Sequence, residues 1–227
     1  MGPTPRRTRL RIPRRNPHPH QPPTRPLRHR KESQPSMKLA RITLDLNDPR
    51  NTHATASRQR LHAIIAAATG EGRQLWRLEH NRIYLAANTI DNTQLQTRFG
   101  RCTIETTDYD NLLNTLQTGQ HYRWAIQANP TTTKSHDPHK NRIPLKTNPE
   151  RLAWIHRQIT KAGCTPITTT ITTAHAERFK RGTDTITIQN VSYHGELEIN
   201  NPDQLRQALT QGLGPGKGYG LGMLLLN

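Results

Sequence analysis

The sequence predicts an α+β fold, and three observations carry that prediction. Strand-like alternation and helix-like periodicity follow one another as strand, helix, strand, strand, and the same order returns in the second half of the chain. Helix starts are punctuated by Ser57, by Asn148-Pro149-Glu150 and by Asn201-Pro202, and helix ends by Gly70, Gly163 and Gly212. The chain finishes with alternating glycines and an apolar run, Met223–Leu226, that reads as a closing strand. Together these spell βαββαβ twice, a pair of tandem ferredoxin-like (RRM-like) domains. The expected boundaries are a tail over 1–36, a first domain over 37–118 and a second over 119–227.

In the first domain, Lys38–Leu46 alternates as a strand, and Asn47, Asp48 and Pro49 read as a loop. Ser57 caps a helix to about Ala68 whose core stripe is Leu61, Ile64, Ile65 and Ala68. Gln74–Glu79 and Arg82–Ala87 form a hairpin around His80-Asn81. Thr89–Arg98 is a weak helix or loop, Arg101–Thr106 a strand and Asp108–Gln117 a short helix. In the second domain, Tyr122–Ala128 is a strand, and Asn129–Lys146 a polar loop with Lys134, Lys140, Arg142 and Lys146. A helix follows with Asn148 as cap and Pro149 and Glu150 in its first turn, burying Leu152, Ile155 and Ile159. Thr165–Ala174 and Thr183–Tyr193 are strands, Gly195–Ile199 continues the sheet, and a last helix starts at Pro202.

A net charge of +17 points to a polyanionic partner, nucleic acid before membrane. Residues 1–36 hold ten Lys and Arg against one Glu, so nine of those charges lie in the tail and eight in residues 37–227. The tail also carries nine of the 17 prolines and no apolar periodicity, which marks it as disordered. It is either a nonspecific nucleic-acid arm or an overextended reading frame, since Met37-Lys38 opens the first strand. Aromatic residues make up only 4 %, which argues against base stacking as the main binding mode. Cys102 and Cys164 lack CxxC spacing, which suggests a reducing cytoplasm and no zinc site. No apolar run approaches the ~20 residues that span a bilayer.

The chemistry is expected in two places. Gly212, Gly214, Gly216, Gly218, Gly220 and Gly222 alternate with other residues, so Gly212–Gly218 has no face to bury and should be a loop. Glycine lets backbone amides approach a ligand, and successive amides make an anion cradle in which Lys217 can reach a phosphate. Gln211 and Gly218 stand where a Walker loop needs Gly and Ser or Thr, so a nucleotide P-loop is excluded. The second place is His62, just off the core stripe of the first helix and one turn after Arg58. An imidazole there, near basic residues, suits proton transfer in RNA cleavage. The plainer alternatives are a flexible tail turn and a surface histidine without a task. His136 and His139 have no third ligand in sequence, and acidic clusters suited to two-metal chemistry are missing, so no metal or other cofactor is expected.

Several blocks resemble one family. They are Lys38–Leu46, Leu75-Trp76-Arg77-Leu78-Glu79, Ala128-Asn129-Pro130, Arg142-Ile143-Pro144-Leu145-Lys146-Thr147, Glu150-Arg151-Leu152-Ala153-Trp154, Gly195-Glu196-Leu197-Glu198 and above all Gly212–Gly222. In this order they are similar to the precursor-RNA endoribonucleases of type I-E CRISPR systems, the hairpin-processing CasE subunits of Cascade. The resemblance covers residues 37–227 and leaves the tail outside. It implies metal-independent cleavage at a repeat hairpin by 2′-hydroxyl attack, giving a 2′,3′-cyclic phosphate and a 5′-hydroxyl. It implies a protein that stays with its guide RNA and joins the other Cascade subunits in the cytoplasm, away from membranes. The family's helix histidine falls on His62, and the basic residue of its glycine loop on Lys217. Gly214, Gly216, Gly218, Arg58, Lys140 and Arg142 are the further RNA contacts expected. A tyrosine common three residues before the histidine is Gln59 here. That departure leaves open which side chain assists His62, and keeps a noncatalytic hairpin-binding subunit as the alternative.

Overall fold

The computed structural model of the chain describes residues 1–2, 36–133 and 142–227. The expectations for the tail and for Lys134, His136, His139 and Lys140 lie outside those residues. The first half runs β1 (Lys38–Leu44), α1 (Pro49–Thr55), α2 (Arg58–Thr69), β2 (Leu75–Glu79), β3 (Arg82–Ala87), α3 (Asn92–Phe99), β4 (Cys102–Asp108) and α4 (Tyr109–Thr115). The second runs β5 (His121–Ala128), β6 (Thr131–Thr133), β7 (Arg142–Pro144), α5 (Asn148–Lys161), β8 (Cys164–Arg181), β9 (Asp184–Ile199), α6 (Pro202–Gln211) and β10 (Leu224–Leu226).

Two antiparallel four-stranded sheets result, ordered β2-β3-β1-β4 and β10-β5-β9-β8, and β6 pairs with β7 as a small ribbon. In each sheet the first and third strands of the unit lie in the centre and the second and fourth at the edges, the ferredoxin-like arrangement expected from the element order. Register keeps alternation intact: Ile42 faces Ile83 on one side and Ile104 on the other. One apolar core holds Ile42, Leu61, Ile65, Trp76 and Leu95 under α2 and α3. A second gathers Trp124, Ile155, Ile159, Leu197 and Leu205, and takes in Leu75 and Ala86 from the first sheet. The opposite face of the β2–β3 edge is thus buried against the second half.

Helix α2 follows its sequence rules. The Ser57 hydroxyl accepts from the Arg60 amide, Leu61, Ile65 and Ala68 are buried, and Gly70 ends it at φ 65°. Leu61 and Ile65 are each worth about 1.5–3 kcal/mol on burial. Ile64 is only half-buried, because it sits at the rim of the stripe.

Five local expectations change. The stretch Asn129–Lys146, expected to be a polar loop, contains the paired strands β6 and β7. Asp48 and Pro49 open a helix, not a loop. The Asp48 carboxylate caps the Arg50 amide, and Asn51 donates to the carbonyls of Asp45 and Arg101. The Asp48 cap and Pro49 at the first helical position are local start signals that the loop reading passes over, and only the Asn51–Arg101 bond is nonlocal. Thr89–Arg98, read as weak helix or loop, holds a regular helix, α3, capped by Asp91 and burying Leu95 and Phe99. Helix α5 is capped by Thr147, one residue before the expected Asn148, in a reciprocal capping box with Glu150. It buries Trp154 beside Ile155 and Ile159, and Leu152 is only half-buried. The third strand pair is a single long hairpin: β8 continues past Ala174 to Arg181, and β9 is unbroken from Asp184 to Ile199. Its charged stretch is strand because Glu177 and Phe179 pair with Ile188 and Ile186.

Candidate active site

The glycine loop leaves α6 at Gly212, makes a 3-10 turn over Lys217–Tyr219 and enters β10. Its path needs left-handed backbone at Gly216, φ 90°, and Gly220, φ 74°, on either side of that turn. Among the described residues, the amides of Gly216, Lys217 and Gly218 donate to no acceptor. The Lys217 ammonium folds back to donate to the Gly214 carbonyl at 2.8 Å. Three free amides beside a lysine are a cradle for an anion.

Helix α2 brings His62 to this turn. A Cβ on Gly218 would lie 3.9 Å from His62 Cε1, which is ordinary contact. The ring is half-buried, and its Nδ1 is buried without a hydrogen-bond partner. Between the helix and the turn lies an open cleft of about 450 Å³, lined by His62, Arg73, Gln74, Gln211, Lys217 and Gly218. No carboxylate lines it. Burial pushes the Lys217 ammonium below its ordinary value, and the positive charges of Arg73 and Arg142 push it the same way. Cations gathered with nothing to neutralise them favour a bound polyanion.

His62, Lys217 and Gly218 therefore meet at one cleft, Gly214 and Gly216 shape the loop behind it, and Arg142 stands exposed within electrostatic reach. Arg58 has a different place. Its guanidinium makes a bidentate pair with Glu177 of β8, with Nη2 to Oε1 at 2.9 Å, and its Nη1 donates to the Tyr219 carbonyl at 2.7 Å. All three of its nitrogens are thus hydrogen-bonded within the protein. Burial alone pushes the Glu177 carboxyl up, but the hydrogen bond and charge of Arg58, with Asn190 and His175, outweigh it and bring it down to about 2. The pair is thus charged at any pH near neutrality. Gln59 is half-buried and makes no hydrogen bond to His62.

Sequence reasoning missed Arg73 and Gln74, which follow Gly70-Glu71-Gly72 at the entry to β2. Nothing local marks them. Only the return of the chain from α2 into the sheet edge sets them beside residues 211–218. Among the described residues, no three His, Cys, Asp or Glu side chains converge as metal ligands, and no helix is long and apolar enough to cross a membrane.

The family model described as CRISPR associated protein matches residues 37–227. The chain belongs to this family. The CRISPR-associated endoribonuclease Cse3 of Thermus thermophilus is 28 % identical over 200 residues, covering 79 % of this chain and 90 % of that protein. The Cascade subunit CasE of Escherichia coli is 31 % identical over 120 residues, 49 % of this chain and 60 % of that one. In structure, the chain is similar to Cse3 bound to a 19-nucleotide RNA, with a TM-score of 0.73, 24 % identity and coverage of 85 % and 98 %. It is also similar to Cas6e of Escherichia coli, with a TM-score of 0.61, 20 % identity and coverage of 83 % and 98 %. The structural likenesses establish the tandem ferredoxin-like fold, and the family match places its purpose in CRISPR systems.

Proposed function

We propose that this chain is a metal-independent endoribonuclease that cuts CRISPR precursor transcripts at the repeat hairpin and remains on the guide RNA as a Cascade subunit. The relatives' names, endoribonuclease and Cascade subunit, support the activity and the assembly. The observation that carries the site assignment is a half-buried imidazole against an uncompensated cationic cleft. Nδ1 of His62 is shut off from solvent, so a proton exchanged with RNA travels through Nε2. The 2′-oxygen attacks phosphorus as the bond to the 5′-oxygen breaks. His62 takes the 2′-hydroxyl proton or delivers one to the departing 5′-oxygen, and Lys217 and Arg73 hold the charge that builds on the phosphorane. The products are a 2′,3′-cyclic phosphate and a 5′-hydroxyl.

Residues 37–118 supply the histidine and Arg73, and residues 119–227 supply the glycine loop and Arg142, with the RNA laid across both. The work is cytoplasmic. A second reading, a hairpin-binding subunit without activity, is favoured by Gln59, which offers His62 no hydrogen bond.

Repeat RNA incubated with the protein in EDTA decides between them. Cleavage that persists and leaves a cyclic phosphate is expected; strict dependence on magnesium would remove the mechanism, and binding without scission would leave the second reading. Lys217→Ala should weaken RNA binding and flatten its salt dependence by about one phosphate contact. Arg73→Ala should slow cleavage on the order of 10²-fold, the scale of losing one donor to a developing oxyanion. A wild-type salt slope for Lys217→Ala would take that lysine out of the phosphate site.

A further inference from the structure

The geometry points to Arg58 as a positioning residue for cleavage: with Glu177 it forms a clamp that holds the His62 helix and the glycine loop at working distance. We infer this role from contacts that reach both walls of the cleft from behind. Arg58 is in the first turn of α2, one turn before His62. Its Nη1 holds the carbonyl of Tyr219, two residues after Lys217. Its other two nitrogens grip Glu177 on β8, 119 residues away in sequence. The guanidinium side chain is 12 % exposed and the carboxylate 24 %, so water competes weakly for the pair.

Glu177 is itself fixed from the far side. Buried Asn190 of β9 donates to its Oε1 at 2.7 Å, and His175 Nε2 lies 3.1 Å from the same oxygen. Phe179, two residues on along the same strand, packs edge-on against the Tyr219 ring with centroids 4.8 Å apart. The long hairpin thus grips the 3-10 turn twice, once by ring packing and once through Arg58. A planar fork with three committed nitrogens fits this task, and a lysine's single ammonium cannot reproduce it. Because Glu177 neutralises Arg58, the clamp adds no net charge to attract RNA. Its effect falls on geometry, where a displacement of about 1 Å costs about 10²-fold in rate.

The inference rests on the proposed endoribonuclease reading. The test measures single-turnover cleavage at saturating RNA, RNA affinity against salt, and hydrogen exchange of amides 216–220. It uses full-length protein and a type I-E CRISPR repeat hairpin RNA. Arg58→Ala and Glu177→Gln should each slow cleavage by about 10- to 100-fold and speed loop exchange, and the double variant, which keeps the local net charge, should hold the affinity and its salt slope at wild type. The double variant should be no slower than Arg58→Ala alone, since both changes break one device. Arg58→Lys, which keeps charge and bulk where alanine fails to fold, should also cut slowly.

In the double variant, a weakened affinity with a salt slope lowered by about one contact would make Arg58 a phosphate ligand and overturn the clamp. So would wild-type cleavage together with wild-type loop exchange in Arg58→Ala and Arg58→Lys. If wild-type protein leaves the repeat RNA intact, the endoribonuclease reading fails, and the exchange data still decide the clamp.

Discussion

His62→Ala should abolish measurable cleavage of the repeat hairpin while leaving hairpin affinity near that of wild type. A positioned general acid or base contributes about 10²–10⁴-fold to a rate, and here one ring is asked for the whole of that factor. Its neighbours in the cleft are cations and amides, Arg73, Gln74, Gln211 and Lys217, and imidazole is the one side-chain type among them whose ordinary titration range lies near neutral pH. Affinity should survive because those cations and the free amides of residues 216–218 stay in place. Single-turnover kinetics with end-group analysis gives the rate, and filter binding gives the affinity. A His62→Ala protein that cuts at the wild-type rate would mean that the proton passes elsewhere. One that has lost binding as well would place the ring among the RNA contacts.

Gly220→Ala should lower stability by about 2–5 kcal/mol and loosen the loop from the first sheet. Two costs add. The φ of 74° puts an L side chain in the left-handed region, at about 1–2 kcal/mol. The new Cβ would also overlap the six-membered ring of Trp76, which is fully buried, and overpacking of that kind costs about 1–3 kcal/mol. Against a typical total of about 5–15 kcal/mol, the melting point should fall by many degrees. Gly218→Ala is the control: its φ is ordinary and its nearest new neighbour is His62 Cε1 at 3.9 Å, so it should melt close to wild type. Equal melting temperatures for Gly220→Ala and wild type would show that the loop does not rest on Trp76.

Much of the fold is legible because its signals are local. Ser57, Pro202 and the glycines after α2, α5 and α6 act on hydrogen bonds within one turn, and those helices fall where their caps put them. The β2–β3 hairpin is readable around His80, whose φ of 53° closes the turn. Part of what failed was nonlocal. Helix α1 hangs on Asn51 bonding to Arg101, 50 residues away. Strand β8 extends through His175–Arg181 because β9 lies beside it, whereas the Thr- and Ile-rich stretch that marks the strand in sequence ends at Ala174.

The sequence by itself determined that this is a basic, twice-repeated βαββαβ chain, with a histidine on its first long helix and a glycine loop around Lys217 near its end. Period, capping and φ preference are written in neighbouring residues, so one chain suffices to read them. Only the tertiary structure decided which cations serve the cleft: Arg73 joins it, and Arg58 turns away to Glu177. A guanidinium's partner is chosen by what folding brings within about 3 Å, and that choice leaves no mark in the spacing of residues 58 and 177.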